Sequence, residues 1–334
     1  MSTNRTRIAF LGASQPAERW RAAFEQAGVS FAPEAGAAEA DADALVVAPG
    51  AQDPFSRAKG ALAAGTPVLY ATPFLVSPWQ AALLDALSRR RACLLRIAEP
   101  FQHQGGFRFL RRLTRGREPL WRLRYLRTTS LAEDGRIDEL AVEDLAVCQA
   151  LVDVSPLTVT ATAAQRDDMN DVCAAFLTVR YPNGAVAQCT ISLAEAQTAR
   201  ELVAVTPSRS VALDRSDPDA PLQIAAHSGA HASGYLAKRT IAMPAADPVV
   251  EEARRFVEAL TSADRAFGNG ERWARVAALW WAARHSMSFG GAVEVPAPAV
   301  SLSPQTEPPP LRVIEGGGRT ARAAKRPPLT LIAS

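Results

Sequence analysis

Short apolar segments alternate with helical segments through the first hundred residues, and this alternation constrains the fold more than any other feature of the chain. The segments Arg7–Leu11, Ala44–Ala48, Pro67–Tyr70 and Ala92–Ile97 are strand-like and apolar along most of their length. Strands that are apolar on both faces are typical of a parallel sheet covered by helices on both sides. Since crossovers between such strands are right-handed, the sequence predicts a doubly wound, Rossmann-like α/β domain.

The segments between these strands have the spacing and end signals of helices. In Pro16–Ala27, apolar residues recur with the helical period. Gly28 follows where a helix C-cap is expected. Phe55–Ala64, which is ended by Gly65, and Pro78–Arg90 are predicted as helices for the same reasons.

The pattern changes after about residue 120, where short segments rich in β-branched residues follow one another. Trp121–Ser130 alternates arginine with apolar residues, as a half-buried strand does, and a helix is predicted over Asp138–Val152. Asn183-Gly184 lies between two strand-like segments and is a strong hairpin signal, because both residues tolerate positive φ. The second half is therefore predicted to be an α+β domain with a mostly antiparallel sheet, arranged as a meander. Two closing helices are predicted over Pro248–Leu260 and Glu271–Met287.

Composition divides the chain into three parts. Residues 1–120 form the predicted Rossmann-like domain, residues 121–296 the predicted antiparallel-sheet domain, and residues 297–334 a Pro-rich basic tail that we expect to be disordered. The tail holds five basic and two acidic residues, which accounts for the whole formal charge of +3. Because the remainder is formally neutral, nucleic-acid binding is not expected. The arginine-rich stretch 89–127 is interpreted either as solvated helix faces and an edge strand or as a surface for an anionic partner.

The sequence also bears on location and on metal binding. No apolar run reaches the about 18–20 residues of a membrane span, and the N-terminus lacks signal-peptide features, so a cytoplasmic protein without membrane association is expected. The four cysteines lie singly in apolar segments, which favours buried free thiols over disulfides or a zinc site. The four histidines are dispersed, and no metal site is predicted.

Four stretches have a distinctive order and spacing, namely the strand–turn–helix Arg7–Ala17, the strand–helix–strand segment Ala42–Pro73, the linking segment Phe107–Arg127 and the closing segment Asp247–Pro296. In these stretches the chain resembles the Gfo/Idh/MocA family of nicotinamide-dependent oxidoreductases. The resemblance implies NAD or NADP as cofactor and a sugar, cyclitol or related polyol as substrate. It also implies a homodimer or homotetramer formed through the C-terminal sheet.

The cofactor motif differs here from the dinucleotide fingerprint GxGxxG, whose glycines let the backbone approach the pyrophosphate at a helix N-terminus. The corresponding segment keeps only the first glycine and reads Gly12-Ala13-Ser14-Gln15-Pro16-Ala17. Ser14 adds a Cβ where the pyrophosphate approaches, and Pro16 removes an amide donor although proline suits the first turn of a helix. The resemblance makes the first four residues of this segment the candidates for pyrophosphate binding.

Three further cofactor-binding candidates follow other strands. Glu34 stands after the second strand, where an acidic residue binds the ribose hydroxyls in such folds, although it can equally be an ordinary loop carboxylate. Pro49 closes the third strand and Glu99 follows the fifth. Both lie at the sheet edge where ligands bind.

The catalytic residues that the resemblance implies are replaced in this chain. The family's Glu-Lys-Pro motif corresponds to Ala71-Thr72-Pro73, and threonine cannot carry the charge of lysine. The family's helical Asp and His correspond to Glu139 and Glu143, which share one helical face. Paired carboxylates can raise one pKa and supply a general acid or base, and the alternative is a solvated acidic face. His103 is a further candidate acid or base, or else a loop histidine at the domain junction.

Three functions therefore remain open. One is a working oxidoreductase in which Glu139, Glu143, His103 or Thr72 replaces the usual groups. Another is a non-catalytic family member that serves as a nucleotide- or sugar-binding module or as a scaffold partner. The third is an adaptor that contacts an acidic partner through the arginine-rich stretch or the tail.

Overall fold

The computed structural model describes residues 6–32, 42–115, 119–128, 137–166, 171–196, 198–215, 221–227, 235–243, 246–262, 268–297 and 313–314. Within these ranges the chain forms a five-stranded parallel sheet and a ten-stranded, mostly antiparallel sheet. The predicted fold class, a Rossmann-like α/β part followed by an α+β part, is thereby confirmed. None of the helices in these ranges combines the length and the apolar composition that crossing a bilayer requires.

The parallel sheet has the strand order β2-β1-β3-β4-β5. Its strands cover Arg7–Leu11, Ser30–Phe31, Ala44–Val47, Val68–Tyr70 and Leu95–Ile97, and helices α1–α3 cover Gln15–Gln26, Pro54–Ala64 and Pro78–Arg91. The order of connection reverses between β1 and β3. In open α/β sheets this switch point, beside the carboxyl ends of the strands, is where ligands bind.

Helices cover both faces of the parallel sheet. Two of them come from the end of the chain, α6 (Pro248–Ser262) and α7 (Gly270–Phe289). Helices α1 and α6 pack on one face, where the rings of Phe24 and Phe256 are 6.2 Å apart. Helices α2, α3 and the start of α7 pack on the other face. All four residues of β3 are buried, as the two-sided apolar pattern predicts.

A side chain closes the outer edge of β5, where a further strand would otherwise pair. The Asn269 Oδ1 accepts a hydrogen bond from the Ile97 amide at 2.8 Å, and its Nδ2 donates to the Ile97 carbonyl at 2.8 Å. The same Nδ2 donates to Glu99 Oε2 at 2.8 Å. A strand edge presents unpaired N–H and C=O groups, and here Asn269 satisfies one of each.

The second sheet has the order β13-β12-β11-β10-β6-β9-β8-β7-β14-β15. Its strands, β6–β15 in chain order, cover Arg122–Thr128, Thr158–Arg166, Asp171–Arg180, Val186–Ser192, Ala199–Val205, Arg209–Asp214, Leu222–His227, Tyr235–Ile241, Ala292–Glu294 and Val313–Ile314. A simple meander was predicted, and this detail is wrong. Helix α5 (Ile137–Val152) separates β6 from β7, and β6 lies between β10 and β9, pairing with β9 in parallel.

The predicted Asn-Gly hairpin joins β8 and β9. Gly184 has a φ of 83°, and the Asn183 Oδ1 accepts a hydrogen bond from the Ala185 amide at 3.2 Å. The turn thereby sets the register in which Arg180 faces Val186. The hairpin prediction is confirmed.

Described helices cover one face of the second sheet and leave the other face uncovered. Helix α5 contacts β8 and β9, and α7 contacts β7. Helix α4 (Gly105–Thr114) leads from the first sheet into the second. On the uncovered face Phe176 is 47% exposed and Arg122 and Arg124 are exposed.

The expectation that all four cysteines are buried needs correction. Cys148 and Cys189 are buried with their Sγ atoms 3.6 Å apart, but Cys93 and Cys173 are only half-buried, although all four are free. Within the predicted disordered tail, Val313–Ile314 pairs with β14 as a short strand. The rest of that tail, apart from its first residue, lies outside the described residues.

Candidate functional site

The turn between β1 and α1 lies at the carboxyl end of a central strand. Gly12 has a φ of 143° there, and a Cβ at this position would lie 2.8 Å from the Pro49 carbonyl oxygen and 2.9 Å from the Ala48 Cβ. Gly50, in the loop after β3, packs in turn against Ala13. The turn and the β3 loop are therefore in direct contact, which requires glycine at position 12.

Ser14 uses its hydroxyl within this turn. The Oγ donates to the Pro49 carbonyl at 2.9 Å and accepts from the Ala17 amide at 3.3 Å, so it caps α1. Because Pro16 has no N–H and the Ala17 amide already donates to Ser14 Oγ, the start of α1 has fewer amides to offer an anion than the full motif has. The site fits a phosphate group with fewer donors than the full motif. Glu34 lies outside the described residues.

Replacing Gly12 by alanine is expected to destabilise the protein by about 2 kcal/mol, because a residue with a Cβ is strained at this φ and meets a backbone oxygen. Urea unfolding measures the change. Gly28→Ala is the matched control, since Gly28 also has a positive φ, 79°, but no atom lies within 4 Å of its added Cβ. Equal losses in the two variants would contradict the close approach at Gly12.

Thr72 is half-buried in the loop after β4. The sequence contains three lysines, Lys59, Lys238 and Lys325. Lys59 is exposed on α2 with its Nζ 5.9 Å from the centre of the Phe55 ring, Lys238 is in β13, and Lys325 is outside the described residues. Lys59 therefore does not replace the ammonium group that the family resemblance places after β4.

A buried ionic cluster lies at β5 and the turn that follows it. Arg96 donates to both oxygens of Glu252, at 2.7 and 3.2 Å, and the His103 Nε2 lies 2.7 Å from Glu252 Oε2. His103 belongs to the short 3₁₀ helix Pro100–His103, and Glu252 to α6. Glu99 is fully buried beside this cluster and accepts hydrogen bonds from Gln102, Asn269 and Arg272. The structure thus brings His103 and Glu99 into one network, while their roles stay predictions.

Glu252 makes this cluster sensitive to acid. Burial opposes ionisation, but the Arg96 charge and the hydrogen bonds from His103 and Arg96 outweigh it and lower the pKa of Glu252 to about 2. Because the pKa of Glu252 in the folded protein is below the ordinary value of 4.5, its ionised carboxylate stabilises the folded state above about pH 4.5. This stabilisation is lost as the pH falls towards 2. We expect a loss on the order of 3 kcal/mol across this window. Urea unfolding at several pH values measures this loss. In Glu252→Gln the free energy of unfolding must depend less steeply on pH between 4.5 and 2.

A second ionic cluster joins α5 to the second sheet. Buried Arg127 donates to Asp144 at 2.6 and 2.9 Å, and its Nη2 lies 3.0 Å from Glu143 Oε2. Asp144 is fully buried, whereas Glu143 is half-exposed. Glu139 lies one turn earlier and is half-buried. Glu143 is therefore part of an arginine-supported cluster and not of a solvated acidic face.

Arg215 links this cluster to the end of the parallel sheet. Its Nη1 donates to the Tyr125 hydroxyl at 2.6 Å, and its Nη2 lies 3.8 Å from Glu143 Oε1. Its guanidinium carbon lies 5.4 Å from the ring centre of Phe101 and 5.5 Å from that of Tyr125. Phe101 follows β5 and Tyr125 is in β6, so Glu143 lies at the junction of the two sheets.

The pKa values of the two carboxyl groups in this cluster are shifted in opposite directions. Burial raises the pKa of Asp144 to about 6, against the opposing charge of Arg127. Burial also opposes ionisation of Glu143, but Arg127, Arg215 and Arg200 outweigh it and hold the pKa of Glu143 below its ordinary value. Glu143 is thus an ionised acceptor at neutral pH, and the raised pKa that paired carboxylates predicted falls on Asp144.

Sequence reasoning missed Arg127, Asp144, Arg215 and Glu252. One signal was available, because Arg127 shares the inward face of β6 with Leu123 and Tyr125 at a spacing of two. A buried arginine requires an acidic partner. Which carboxylate supplies it depends on tertiary packing, as does the pairing of Arg96 with Glu252.

A cavity of about 480 Å³ lies between α3 and the start of α7, at the amino-terminal end of β5. Four of its charged lining residues pair with one another, Arg89 with Asp85 at 2.9 Å and Arg275 with Glu271 at 2.6 Å. Because ligands bind at the carboxyl ends of the strands in such sheets, this cavity is separate from the candidate site.

Comparison with known proteins gives matches among solved structures alone. No protein-family model and no curated protein sequence matches the chain. UDP-N-acetylglucosamine 3-dehydrogenase from Acidithiobacillus ferrooxidans matches with 19% identity and a TM-score of 0.73, over 85% of this chain and 98% of that one. An oxidoreductase from Agrobacterium radiobacter, in complex with NAD+, L-tartaric acid and magnesium, matches with 16% identity and a TM-score of 0.73, over 87% and 99%.

A levoglucosan dehydrogenase in complex with NADH and L-sorbose matches with 12% identity and a TM-score of 0.70, over 87% of this chain and 99% of that one. All three similarities extend over nearly the whole of the matched chains. They show that the protein has the same two-sheet fold as these oxidoreductases.

Proposed function

We propose that the protein is a Gfo/Idh/MocA-type oxidoreductase that binds NAD or NADP and acts on a sugar, cyclitol or related polyol. The observation that supports it is the fold, which matches at least 98% of the length of chains described as dehydrogenases or oxidoreductases, two of them in complex with NAD+ or NADH. We place its action in the cytoplasm, where free thiols such as its four cysteines persist.

The cofactor half of the proposal rests on the turn after β1. Gly12 lets the backbone pass close to Pro49, and the amides of Ser14 and Gln15, at the start of α1, would hold the pyrophosphate. Ala13 and Pro49 flank this position. Glu34 is the candidate for the ribose hydroxyls, and Glu99, after β5, is a further candidate for cofactor binding. NAD or NADP, when bound, accepts or supplies the hydride.

The substrate half rests on groups at the junction of the two sheets. A hydroxyl group must lose a proton when its carbon becomes a carbonyl, and the candidates for assisting that step are Thr72, His103, Glu139 and Glu143. Ionised Glu143 can accept a hydrogen bond from that hydroxyl or from a neighbouring one. Since loss of a general acid or base typically lowers rates about 10²–10⁴-fold, turnover slower than that of relatives with the full motif is expected.

Titration with NADH and NADPH tests the proposal. At about 100 times its Kd, a nucleotide that binds the folded state adds about 2.7 kcal/mol of stability, which raises the Tm measurably. Gly12→Ala should lose this shift. The absence of a shift with either nucleotide at millimolar concentration would overturn the proposal. Binding without oxidation of any polyol in a panel would instead favour the non-catalytic alternative.

We further propose a homodimer or homotetramer formed through the uncovered face of the second sheet. Phe176 is 47% exposed on this face, among threonine side chains of β7 and β8. Phe176→Arg is expected to convert the oligomer to a monomer, because a charge would be buried without a partner. Light scattering measures the mass. Lys59→Gln, an exposed change on α2 beside the first sheet, is the control, and an unchanged mass in Phe176→Arg would exclude this interface.

A further inference from the structure

The cavity of about 480 Å³ at the amino-terminal end of β5 is a space that the proposed function does not use. Its wall consists of the end of α3, the start of β5 and the start of α7. Small-molecule sites typically measure about 300–1,000 Å³, so its volume is sufficient for one. Because the turn after β1 lies at the opposite edge of the parallel sheet, a ligand in this cavity would be distinct from a nucleotide at that turn.

The wall of the cavity has free hydrogen-bond donors. It contains three arginines and three carboxylates, namely Arg89, Arg272, Arg275, Asp85, Asp153 and Glu271. Arginine has five N–H donors. Arg89 uses its Nε for Asp85 and its Nη2 for Glu271, and Arg275 uses its Nη2 for Glu271. An anion can therefore bind the remaining donors of Arg89 and Arg275 without breaking these pairs.

The rim of the cavity has an excess of positive charge. Arg90 and Arg91 are the last two residues of α3, and both are exposed. Arg115, which pairs with Asp153 at 2.9 Å, brings α4 to the edge of the cavity, and exposed Arg112 lies one turn earlier on that helix. Within the part of the chain that the structure describes, Arg90, Arg91 and Arg112 have no carboxylate partner. The rim thus adds three uncompensated positive charges to a wall that is formally neutral.

The wall also contains unfavourable backbone conformations. Ala92 has a φ of 51° and Asp153 a φ of 56°, and both line the cavity. Asp53 is the one other non-glycine residue with positive φ among the described residues. Non-glycine residues in the left-handed region occur preferentially at ligand-binding and active sites. Two of the three such residues therefore lie where a ligand site is expected from the charges.

These charges restrict the ligand to an anion with several charged groups. Guanidinium groups match the oxygen geometry of carboxylate and phosphate. Each wall carboxylate is already paired with an arginine, so its repulsion of an anion is reduced. A single carboxylate or phosphate group would engage the wall alone, whereas linked phosphate groups can engage the wall and the rim together. The positive end of the α7 dipole, at the first turn in the wall, adds to the attraction.

We propose that this cavity binds a small polyphosphate anion, held by Arg89 and Arg275 and attracted by the arginines of the rim. The proposal does not depend on the proposed function, because none of these residues lies at the turn after β1 or at the junction of the two sheets. It gives a role to part of the arginine-rich stretch 89–127, as a surface for an anionic ligand.

Phosphorus NMR of tripolyphosphate in the presence of the full chain, without nucleotide, tests the proposal. Tripolyphosphate is expected to bind about tenfold or more tightly than inorganic phosphate, since it carries more charges to the same surface. Its binding should weaken as sodium chloride is added, because exposed charges are screened. Equal affinities for the two anions, or no line broadening at about 10 mM tripolyphosphate, would overturn the proposal.

Two variants with opposite expected effects locate the site. Arg89→Gln should weaken tripolyphosphate binding about tenfold, because a charged donor is lost. Glu271→Gln should strengthen it about threefold, because a negative charge leaves the wall and the arginines paired with it are released. A residue that only supports the fold would not strengthen binding when it is replaced, so a weaker or unchanged affinity in Glu271→Gln would overturn the proposal.

The controls for these variants lie on α6, across the parallel sheet from the cavity. Arg254 and Glu258 form an exposed ion pair there. Glu258 is 55% exposed and Glu271 is 56% exposed, so Glu258→Gln is the matched change of charge. Arg254→Gln is the control for Arg89→Gln. Both control variants should bind tripolyphosphate as the wild type does, and effects equal to those of Arg89→Gln and Glu271→Gln would show a response to net charge alone.

Failure of this inference can be distinguished from failure of the proposed function. Tripolyphosphate binding that is unchanged in Arg89→Gln but lost in Gly12→Ala would place the anion at the turn after β1 and overturn the inference alone. Tripolyphosphate binding that depends on Arg89, without binding of NADH or NADPH, would overturn the proposed function and leave the anion site in place.

Discussion

Replacing Asp144 by alanine is expected to destabilise the protein by about 3 kcal/mol, because the buried guanidinium of Arg127 would lose its fully buried carboxylate partner and keep the half-exposed Glu143. Arg127 and Asp144 are both almost completely buried and share hydrogen bonds of 2.6 and 2.9 Å. Urea unfolding at pH 7 measures the loss. The double variant Arg127→Met/Asp144→Leu removes both charges and should recover most of the stability.

An exposed ion pair of similar length is the control for this prediction. Arg115 and Asp153 lie 2.9 Å apart, and both side chains are about half-exposed. Asp153→Asn, which tolerates the local φ of 56°, should cost less than about 1 kcal/mol. If Asp144→Ala cost no more than Asp153→Asn, the buried pair would not hold α5 against β6.

Replacing Asn269 by alanine is expected to cost about 4 kcal/mol. The amide and carbonyl of Ile97 would both lose their partner in a buried place, and each such group costs about 1–3 kcal/mol. Hydrogen exchange at the Ile97 amide should accelerate along with the loss of global stability.

Asn183→Ala makes the same chemical change at a position where the asparagine accepts a single hydrogen bond, in an exposed turn, from the Ala185 amide. A loss of about 1 kcal/mol is expected there. Unchanged exchange of the Ile97 amide in Asn269→Ala would show that the side chain does not close the sheet edge.

The first sheet was predictable because its strands are apolar on both faces and its helices have explicit end signals. Arg7–Leu11 has the predicted bounds, and α3 begins at Pro78 as predicted, behind a capping box of Ser77 and Gln80. The strand predicted over Ala92–Ile97 is shorter, Leu95–Ile97. Ala92 has a φ of 51° and ends α3, and the Cys93 amide bonds back to Ser88, so neither residue is available to the strand.

The candidate site was less predictable, because its groups meet through packing. The spacing of Glu139 and Glu143 showed a shared helical face, but nothing local showed that Arg215, more than seventy residues later, lies 3.8 Å from Glu143. The sign of the Glu143 pKa shift follows from those distant arginines. His103 was placed correctly after β5, whereas its partner Glu252 is 149 residues away.

The scarcity of lysine affects how the protein should respond to alkali. Its cationic side chains are almost all guanidinium groups, since Lys59, Lys238 and Lys325 are the sole lysines among 37 basic residues. A guanidinium keeps its proton above pH 12, whereas an ammonium begins to lose its proton near pH 10. The ion pairs that link α5, α6 and α7 to the two sheets therefore keep their charge across the alkaline range, in which a lysine-rich protein of the same fold would lose such contacts.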